Sequence, residues 1–380
     1  MKVGLDLRCL PSDGSEGAGV AHAARALCTQ LIKDKSIDWK VFVVKGTAFP
    51  SVIPSVVEGS GSFLKPDSST PSDFAQNDNL RVIELADGSS KSLKLAIKKD
   101  QCDILFVLSG AVSYGLDIPA IPWVHDLIIF DHPEWFPESW LHRQLTTRLF
   151  LRGIKRAPII FAVSEYTKQA IIRHAKVSQE KVIVTHEGGD EQLTIKKSAK
   201  EYCRSKWGVG GQFVLALGTV EPRKNLAMLI RAWKKADGGL DLVIAGRNGW
   251  KFEDVSKEID NLTPDEASRF HRIKDFNDEE KRQLLLAARI VAVPSLDEGF
   301  GLVALEALQA NTQVIASNRG ALPEVVGEAG TLFDPEDEEA WVNALTLSPS
   351  PTNAGEGSRQ AQKFSWEKTA ATVLEGLKKL

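Results

Sequence analysis

The chain has 380 residues, of which 43% are hydrophobic and 26% charged, and its formal net charge is −3. At roughly 150 residues per domain this length predicts about two domains, each with enough apolar material for a core, and the near-neutral charge excludes a global basic footprint for nucleic acid. Four widely separated cysteines, Cys9, Cys28, Cys102 and Cys203, show no CxxC or Cys/His spacing, which excludes a zinc framework or a disulfide scaffold and fits a reducing compartment.

Residues 3–7 read as a buried strand, which Asp6 and Arg8 interrupt too early for a signal peptide. A loop rich in Gly and Ser follows over 11–19, and then Val20, Ala24, Leu27, Cys28 and Leu31 recur at helical spacing. With a strand at 39–44 this is the opening β-loop-α-β of a doubly wound domain. Residues 51–79 are rich in Ser, Asp, Pro and Gly and read mostly as an irregular surface loop. Further strands are predicted at 81–85, 104–108, 121–124, 159–163 and 181–185. Between them, 138–156 has a helical pattern combining Arg143, Arg148, Arg152, Lys155 and Arg156 with Trp140, Leu145, Leu149 and Phe150.

The second half restarts the pattern. A strand at 213–217 leads through Gly218 and a turn to a helix carrying Leu226, Leu229, Ile230 and Trp233, and the next strand is 240–245. Asn277 and Glu280 have the spacing of a capping box, which predicts a helix running through Ala288. Strands at 290–293, 312–316 and 331–333 complete a second parallel sheet. The polar stretch 193–209 reads as an interdomain linker. The domains predicted are therefore 1–192 and 210–365, followed by a helix from 366 to 380 whose apolar face carries Trp366, Ala370, Val373 and Leu377. No stretch approaches the roughly 18 apolar residues of a membrane helix, so a cytoplasmic protein is expected.

The densest chemistry lies in the run from Pro294 to Ala310. Glu298 sits in a turn with Asp297, Gly299 and Gly301, and Glu306 stands eight positions on, in a segment where Leu302, Leu305 and Leu308 have helical spacing. One carboxylate thus precedes a helix N-terminus and the other rides on the helix. Unpaired N–H groups at that terminus suit a diphosphate, and the two carboxylates suit sugar or ribose hydroxyls. For a lone pair of glutamates, a turn cap and a solvated helix residue are the simpler explanation. Arg223 and Lys224 precede another predicted helix, where cations oppose the helix dipole unless an anion sits between; taken alone they also fit a charged surface turn. Gly14, Gly17 and Gly19 let the first loop approach a ligand closely, without the full GxGxxG spacing. His125 and Asp126 follow the strand at 121–124 and so stand at a strand's carboxyl end, where open α/β sheets bind ligands. Ser164 and Glu165 read as a helix N-cap with a first-turn acid.

GTVEPRKNL, PSLDEGFGLVALEAL and GALPEVVGEAG, in this order and spacing, resemble the nucleotide-binding half of the family 4 retaining glycosyltransferases, whose E-x7-E pattern Glu298 and Glu306 match. GAGVAHAARAL, WVHDLIIFDHPEWFP and AVSEYTKQAI resemble the mannosyltransferase-like members, and the resemblance spans the chain outside 51–79 and the linker. It implies a GT-B fold of two Rossmann-like domains with parallel sheets facing across a cleft: an acceptor-binding N-terminal domain, a C-terminal domain for the nucleotide sugar, and a final helix crossing back. It implies metal-independent transfer with retention of configuration, with Arg223 and Lys224 holding the diphosphate and no cofactor beyond the donor substrate. Glu306 would bind ribose hydroxyls, and Glu298 would stabilise positive charge near the anomeric carbon. Phe300 and Gly301, beside Gly299 in the same donor-binding turn, would offer N–H groups to the sugar, and Leu302 and Val303 theirs to the phosphates. His125 would touch the sugar, and Gly17 and Gly19 would admit the phosphates and acceptor.

Two segments depart from the family pattern. Asn311-Thr312-Gln313 replaces Gly-Thr-Pro, and Glu187-Gly188-Gly189 replaces the usual Asn-Gly, so no donor contact is carried over to the latter turn. EPRKN with VHDL and HPEWFP resembles the GDP-mannose-type enzymes more than the UDP-glucose ones, a resemblance that implies mannose from GDP-mannose as the donor, with UDP-hexose donors as the alternative and a non-catalytic nucleotide-sugar-binding protein as the rival from another class. The implied acceptor is a glycan or lipid-linked glycan. The basic amphipathic segment 138–156 offers peripheral contact with an anionic membrane, or is an ordinary surface helix.

Overall fold

A computed structural model describes residues 1–12, 19–47, 79–137, 140–189, 199–236, 239–347 and 355–380. Gly14, Gly17, Glu138 and the predicted loop over 51–78 lie outside the described residues. The chain forms two compact units. The first comprises Met1–Leu127, Ser139–Gly188 and Trp366–Leu380; the second comprises Ile128–Glu138 and Gly189–Ser365.

The first unit is built on seven strands: β1 (Lys2–Asp6), β2 (Asp38–Val44), β3 (Leu80–Leu85), β4 (Ile104–Val107), β5 (Ala120–Val124), β6 (Ile160–Ala162) and β7 (Val182–Val184). Their order is β3-β2-β1-β4-β5-β6-β7, and every pairing is parallel. Parallel strands covered on both faces read as unbroken apolar runs, and every residue of β4 and β5 is indeed buried. Asp6 is the polar exception in β1. It is buried and pairs with Arg8 at 2.7 Å, while the Arg8 guanidinium also donates to the Gly88 carbonyl and the Ser113 hydroxyl. Chain order reverses between β1 and β4, the kind of switch point at which α/β sheets open a crevice beyond their strand ends.

The helix Trp366–Lys378 belongs to this first unit. Trp366, Ala370, Val373 and Leu377 are buried on one face, as their spacing predicts. The Trp366 ring meets Trp123 edge-on with centroids 6.4 Å apart, Thr369 donates to the His186 carbonyl, and Lys378 pairs with Asp34 at 2.6 Å. Burying each large apolar side chain contributes about 1.5–3 kcal/mol.

The second unit carries β8 (Phe213–Leu217), β9 (Asp241–Ala245), β10 (Phe270–Ile273), β11 (Ile290–Val293), β12 (Gln313–Ser317) and β13 (Thr331–Phe333). They are ordered β10-β9-β8-β11-β12-β13, again all parallel, and the order reverses between β8 and β11. The core packs Trp233, Leu229, Ile230 and Trp341 against Val214, Leu242, Ile244 and Ile315.

Two findings differ from the sequence expectation here. The edge strand β10 was not foreseen, because His271 and Arg272 interrupt its apolar pattern. Within the segment read as a linker, Ala199–Trp207 forms a helix that packs on the helix Asp278–Ala287: Tyr202 donates to Glu280 at 3.1 Å, and Lys206 pairs with the same carboxylate. The capping box that opens the latter helix is complete, with Glu280 N donating to Asn277 Oδ1 and Asn277 N donating to Glu280 Oε2, both at 2.9 Å. Among the described residues no helix is long and apolar enough to cross a membrane.

Candidate functional site

In the second unit the loops after β8 and β11 converge. Beyond β8 the chain makes a short 3-10 turn at Pro222–Lys224, and Asn225 then adopts the left-handed conformation at φ 52° before the helix Leu226–Lys235. Asn225 does not cap that helix with its side chain. Its amide donates instead to the Pro335 carbonyl at 2.9 Å, which ties the turn to the segment after β13. Beyond β11, Leu296 N donates to the Arg223 carbonyl at 2.8 Å, stitching the two loops together.

The convergence places Arg223, Lys224 and Glu298 in one cluster. Arg223 Nη1 donates to Glu298 Oε2 at 2.5 Å and to the Asp297 carbonyl at 3.0 Å, while Nη2 donates to Glu221 Oε1 at 2.8 Å. Lys224 Nζ donates to Glu298 Oε1 at 2.6 Å, and the Ser295 hydroxyl donates to the same oxygen at 2.8 Å. Glu298 and Glu221 are buried, at 8% and 7% exposure, which makes full pairing necessary for carboxylates so far from solvent. Burial alone would raise the Glu298 carboxyl, but Arg223 and Lys224 reverse that and pull it down to about 2. Lys224 is itself lowered, because burial and the neighbouring Arg223 outweigh Glu298. The asymmetry follows from the count: Glu298 has two cations, whereas Lys224 shares one close anion with another cation. At neutral pH Glu298 is therefore a carboxylate. An ammonium carries three N–H donors, and Lys224 gives one of them to Glu298.

The turn at Gly299-Phe300-Gly301 leads into the helix Leu302–Gln309. Gly301 is its N-cap at φ 110°, a backbone conformation that demands glycine, and a Cβ there would lie 2.8 Å from Leu322 Cδ2, so that side-chain tip would have to shift. The first bonds of this helix run from Ala304 N and Leu305 N to the Gly301 carbonyl, and the N–H groups of Leu302 and Val303 lie ahead of them. Phe300 is buried edge-on against Phe364 at 5.6 Å. Glu306, buried on the same helix, accepts a hydrogen bond from Lys281 at 2.7 Å. The loop after β12 closes over the glutamate turn: Ala321 N donates to the Glu298 carbonyl at 2.9 Å, and Gly320, at φ 62°, packs so tightly that a Cβ would lie 2.5 Å from Glu298 N and O.

The remaining predicted residues stand in the first unit. His125 follows β5, and both ring nitrogens are held: Nδ1 lies 2.8 Å from Glu187 Oε1 and Nε2 lies 2.8 Å from the Leu108 carbonyl. The Trp123 ring packs edge-on to the imidazole at 4.5 Å. Burial would lower the His125 pKa, but the bond to Glu187, its charge and the Leu108 carbonyl raise it. Gly19 is the N-cap of the helix Val20–Leu31 at φ 55°; Gly17 lies outside the described residues. Ser164 is a helix cap, as its sequence context suggested, and accepts from Thr167 N at 3.0 Å. Glu187, Glu221, Lys281, Ser295 and Gly320 were not read from the sequence as parts of these clusters. Glu187 was noticed only as a departure from the family turn.

Comparison with known proteins bears on the family. Residues 203–348 match the family described as Glycosyl transferases group 1, and residues 76–193 match Glycosyltransferase Family 4. The O-antigen chain mannosyltransferase B of Escherichia coli is 30% identical over 274 residues, covering 69% of this chain and 70% of that protein. The serotype-specific mannosyltransferase WbdA of Escherichia coli is 27% identical over 322 residues, covering 75% of this chain but only 38% of WbdA. Among solved structures, Anabaena HepE in complex with UDP and glucose superposes with a TM-score of 0.74 at 19% identity, covering 100% of this chain and 99% of that one.

Two parallel α/β sheets together with these two family matches define a glycosyltransferase. The chain belongs to the family 4 glycosyltransferases, in their mannosyltransferase-like subgroup.

Proposed function

We propose that the chain is a retaining, metal-independent mannosyltransferase that uses GDP-mannose and extends a glycan or lipid-linked glycan acceptor. The observation that carries this reading is the Arg223–Lys224–Glu298 cluster beside the N-terminus of the helix Leu302–Gln309. Two fixed cations and the N–H groups of Leu302 and Val303 take the diphosphate, and the cations offset the charge that builds on it as it departs. They serve where other transferases employ a divalent metal. Glu298, kept ionised by its two cations, stabilises positive charge developing at the anomeric carbon. Glu306 accepts from ribose hydroxyls, and the N–H groups of Phe300 and Gly301 meet the sugar beside Gly299.

His125 acts by contact and charge. Neither of its ring nitrogens is available as a base, because each faces an acceptor. The reaction in this reading is therefore same-face: the bond from the anomeric carbon to the diphosphate oxygen breaks, the acceptor oxygen bonds to that carbon, and the acceptor proton leaves with the departing diphosphate. The names of the curated relatives favour mannose and an O-antigen-type glycan. The basic helix Trp140–Arg156 is the element that would meet an anionic membrane if the acceptor is lipid-linked.

The test is calorimetric titration with GDP and with UDP in EDTA, followed by transfer from GDP-mannose. Tighter GDP binding and transfer in EDTA are expected. Tighter UDP binding moves the donor to a UDP-hexose, a need for divalent metal removes the metal-free mechanism, and binding of neither nucleotide returns the chain to the non-catalytic alternative.

A further inference from the structure

The turn after β7 places a buried carboxylate where a simple surface turn needs none. Glu187 is 4% exposed and lies against His125, with 2.8 Å between Oε1 and Nδ1. The surroundings hold both partners in place. The Trp123 indole N–H donates to Thr185 Oγ1 at 3.0 Å, the Thr369 hydroxyl donates to the His186 carbonyl, and the Thr167 hydroxyl donates to the His125 carbonyl at 3.2 Å. Glu187 is therefore fixed from both sides in sequence, by its β-strand end and by the C-terminal helix.

The proton count at His125 follows from its partners. A backbone carbonyl only accepts, so the nitrogen 2.8 Å from Leu108 O carries hydrogen. The other nitrogen faces a carboxylate oxygen, which accepts from it when ionised. An imidazole with acceptors at both nitrogens is most stable with both protonated.

We propose that Glu187 is a positioning residue that holds His125 as a fixed, doubly protonated imidazolium at the carboxyl ends of β4 and β5, a cation of the first unit rather than a proton acceptor. The role of that cation in transfer rests on the glycosyltransferase reading above; the Glu187–His125 coupling does not. In that reading the cation offers a fixed positive charge to the departing diphosphate and only its C–H edge to the sugar, since both ring N–H groups are held by Glu187 and Leu108, and it needs no reorganisation during reaction. The other groups packed on the ring do not supply this. Trp123 and the carbonyl of Leu108 do not titrate in this range, Thr167 reaches only the backbone, and Asp126, the adjacent acid, acts more weakly than Glu187.

The test is the ionisation of His125 itself, read by nitrogen-15 NMR of the imidazole in the wild type and in Glu187→Gln, with the His125 signals assigned by their loss in His125→Gln. Glutamine keeps an acceptor oxygen at the same reach but no charge. The expected result is an imidazolium at pH 7 in the wild type and a fall of the His125 titration by about one unit or more in Glu187→Gln. In transfer assays the alkaline limb of kcat should move down in pH by the same amount, with the donor KM little changed. Unchanged His125 titration in a folded Glu187→Gln protein overturns the proposal, as does a shifted titration that leaves the kcat limb where it was. The NMR readout needs no substrate, so failure of GDP-mannose as donor with an intact titration shift counts against the donor assignment alone. Glu187→Ala serves as the second variant: it should abolish the Nδ1 contact and leave a neutral, Leu108-bonded ring.

Discussion

Lys224 and Glu298 stand 74 residues apart in sequence and meet at 2.6 Å, with Arg223 on the other oxygen of the same carboxylate. The glutamate is thus a spacer between two cations that would otherwise repel each other. In the proposed reading a diphosphate would draw on the Lys224 N–H donors that this carboxylate does not take.

Replacing Lys224 by Ala leaves Glu298 with Arg223 and Ser295. Breaking a buried ion pair by removing one partner costs about 3–5 kcal/mol, and the surviving partners should keep this variant at or below the low end. Nucleoside diphosphate affinity should fall by roughly tenfold to a hundredfold, the worth of a charge-assisted hydrogen bond. Calorimetry with GDP or UDP measures it; unchanged affinity removes Lys224 from the site.

Acid stability should report Glu298. Its folded value of about 2 lies below the ordinary carboxylate range, so its contribution is fully present above that range and is lost as pH falls through the folded value. Thermal melts between pH 6 and pH 2, values spanning that window, should show a steeper loss of Tm in the wild type than in Glu298→Gln. Parallel curves would show that the carboxylate is not selectively stabilised by folding.

Most strands were legible because parallel strands covered on both faces produce apolar runs, and the capping box at Asn277 and Glu280 was legible because both of its bonds are local. Other features were closed to a sequence reading for stated reasons. In β10 His271 and Arg272 break the run, and in Ala199–Trp207 only Ala199 and Cys203 are buried, too few to mark an amphipathic face. Lys281 reaches Glu306 across 25 residues and Glu187 reaches His125 across 62, and one sequence carries no sign of such pairings. Asn225 has the residue type of a cap, yet its side chain serves Pro335 instead.

Glu306→Gln should separate the two halves of the donor site. The substitution keeps the shape, removes the charge from the bond with Lys281 and weakens the acceptor offered to ribose. Guanosine or uridine binding should weaken by about tenfold, the scale of one hydrogen bond, while Lys224→Ala should spare the nucleoside and impair the diphosphate. Equal effects on both ligands would show that the two residues are not specialised.

Gly320→Ala should damage the site from outside it. The position has φ 62°, and its Cβ would lie 2.5 Å from the backbone of Glu298. The left-handed conformation alone costs roughly 1–2 kcal/mol for alanine, and the backbone clash adds to this. Gly208→Ala is the control, since φ is 70° there but nothing lies within 4 Å. Chemical denaturation should show a larger loss for Gly320→Ala, accompanied by weaker diphosphate binding that Gly208→Ala does not share. Similar losses in both would mean that the Glu298 turn yields to the added methyl.

The first unit closes its core with Trp366–Lys378, a segment the ribosome delivers after the entire second unit. Trp123 and Phe161 await Trp366 and Gly376 until the second unit has been made. The usual order of co-translational folding, N-terminal domain first, is therefore blocked at its last step. A nascent chain halted before Trp366 presents an incomplete hydrophobic surface, and the fragment ending at Gly188 should need either a chaperone or the missing helix supplied as a separate peptide to become a stable fold.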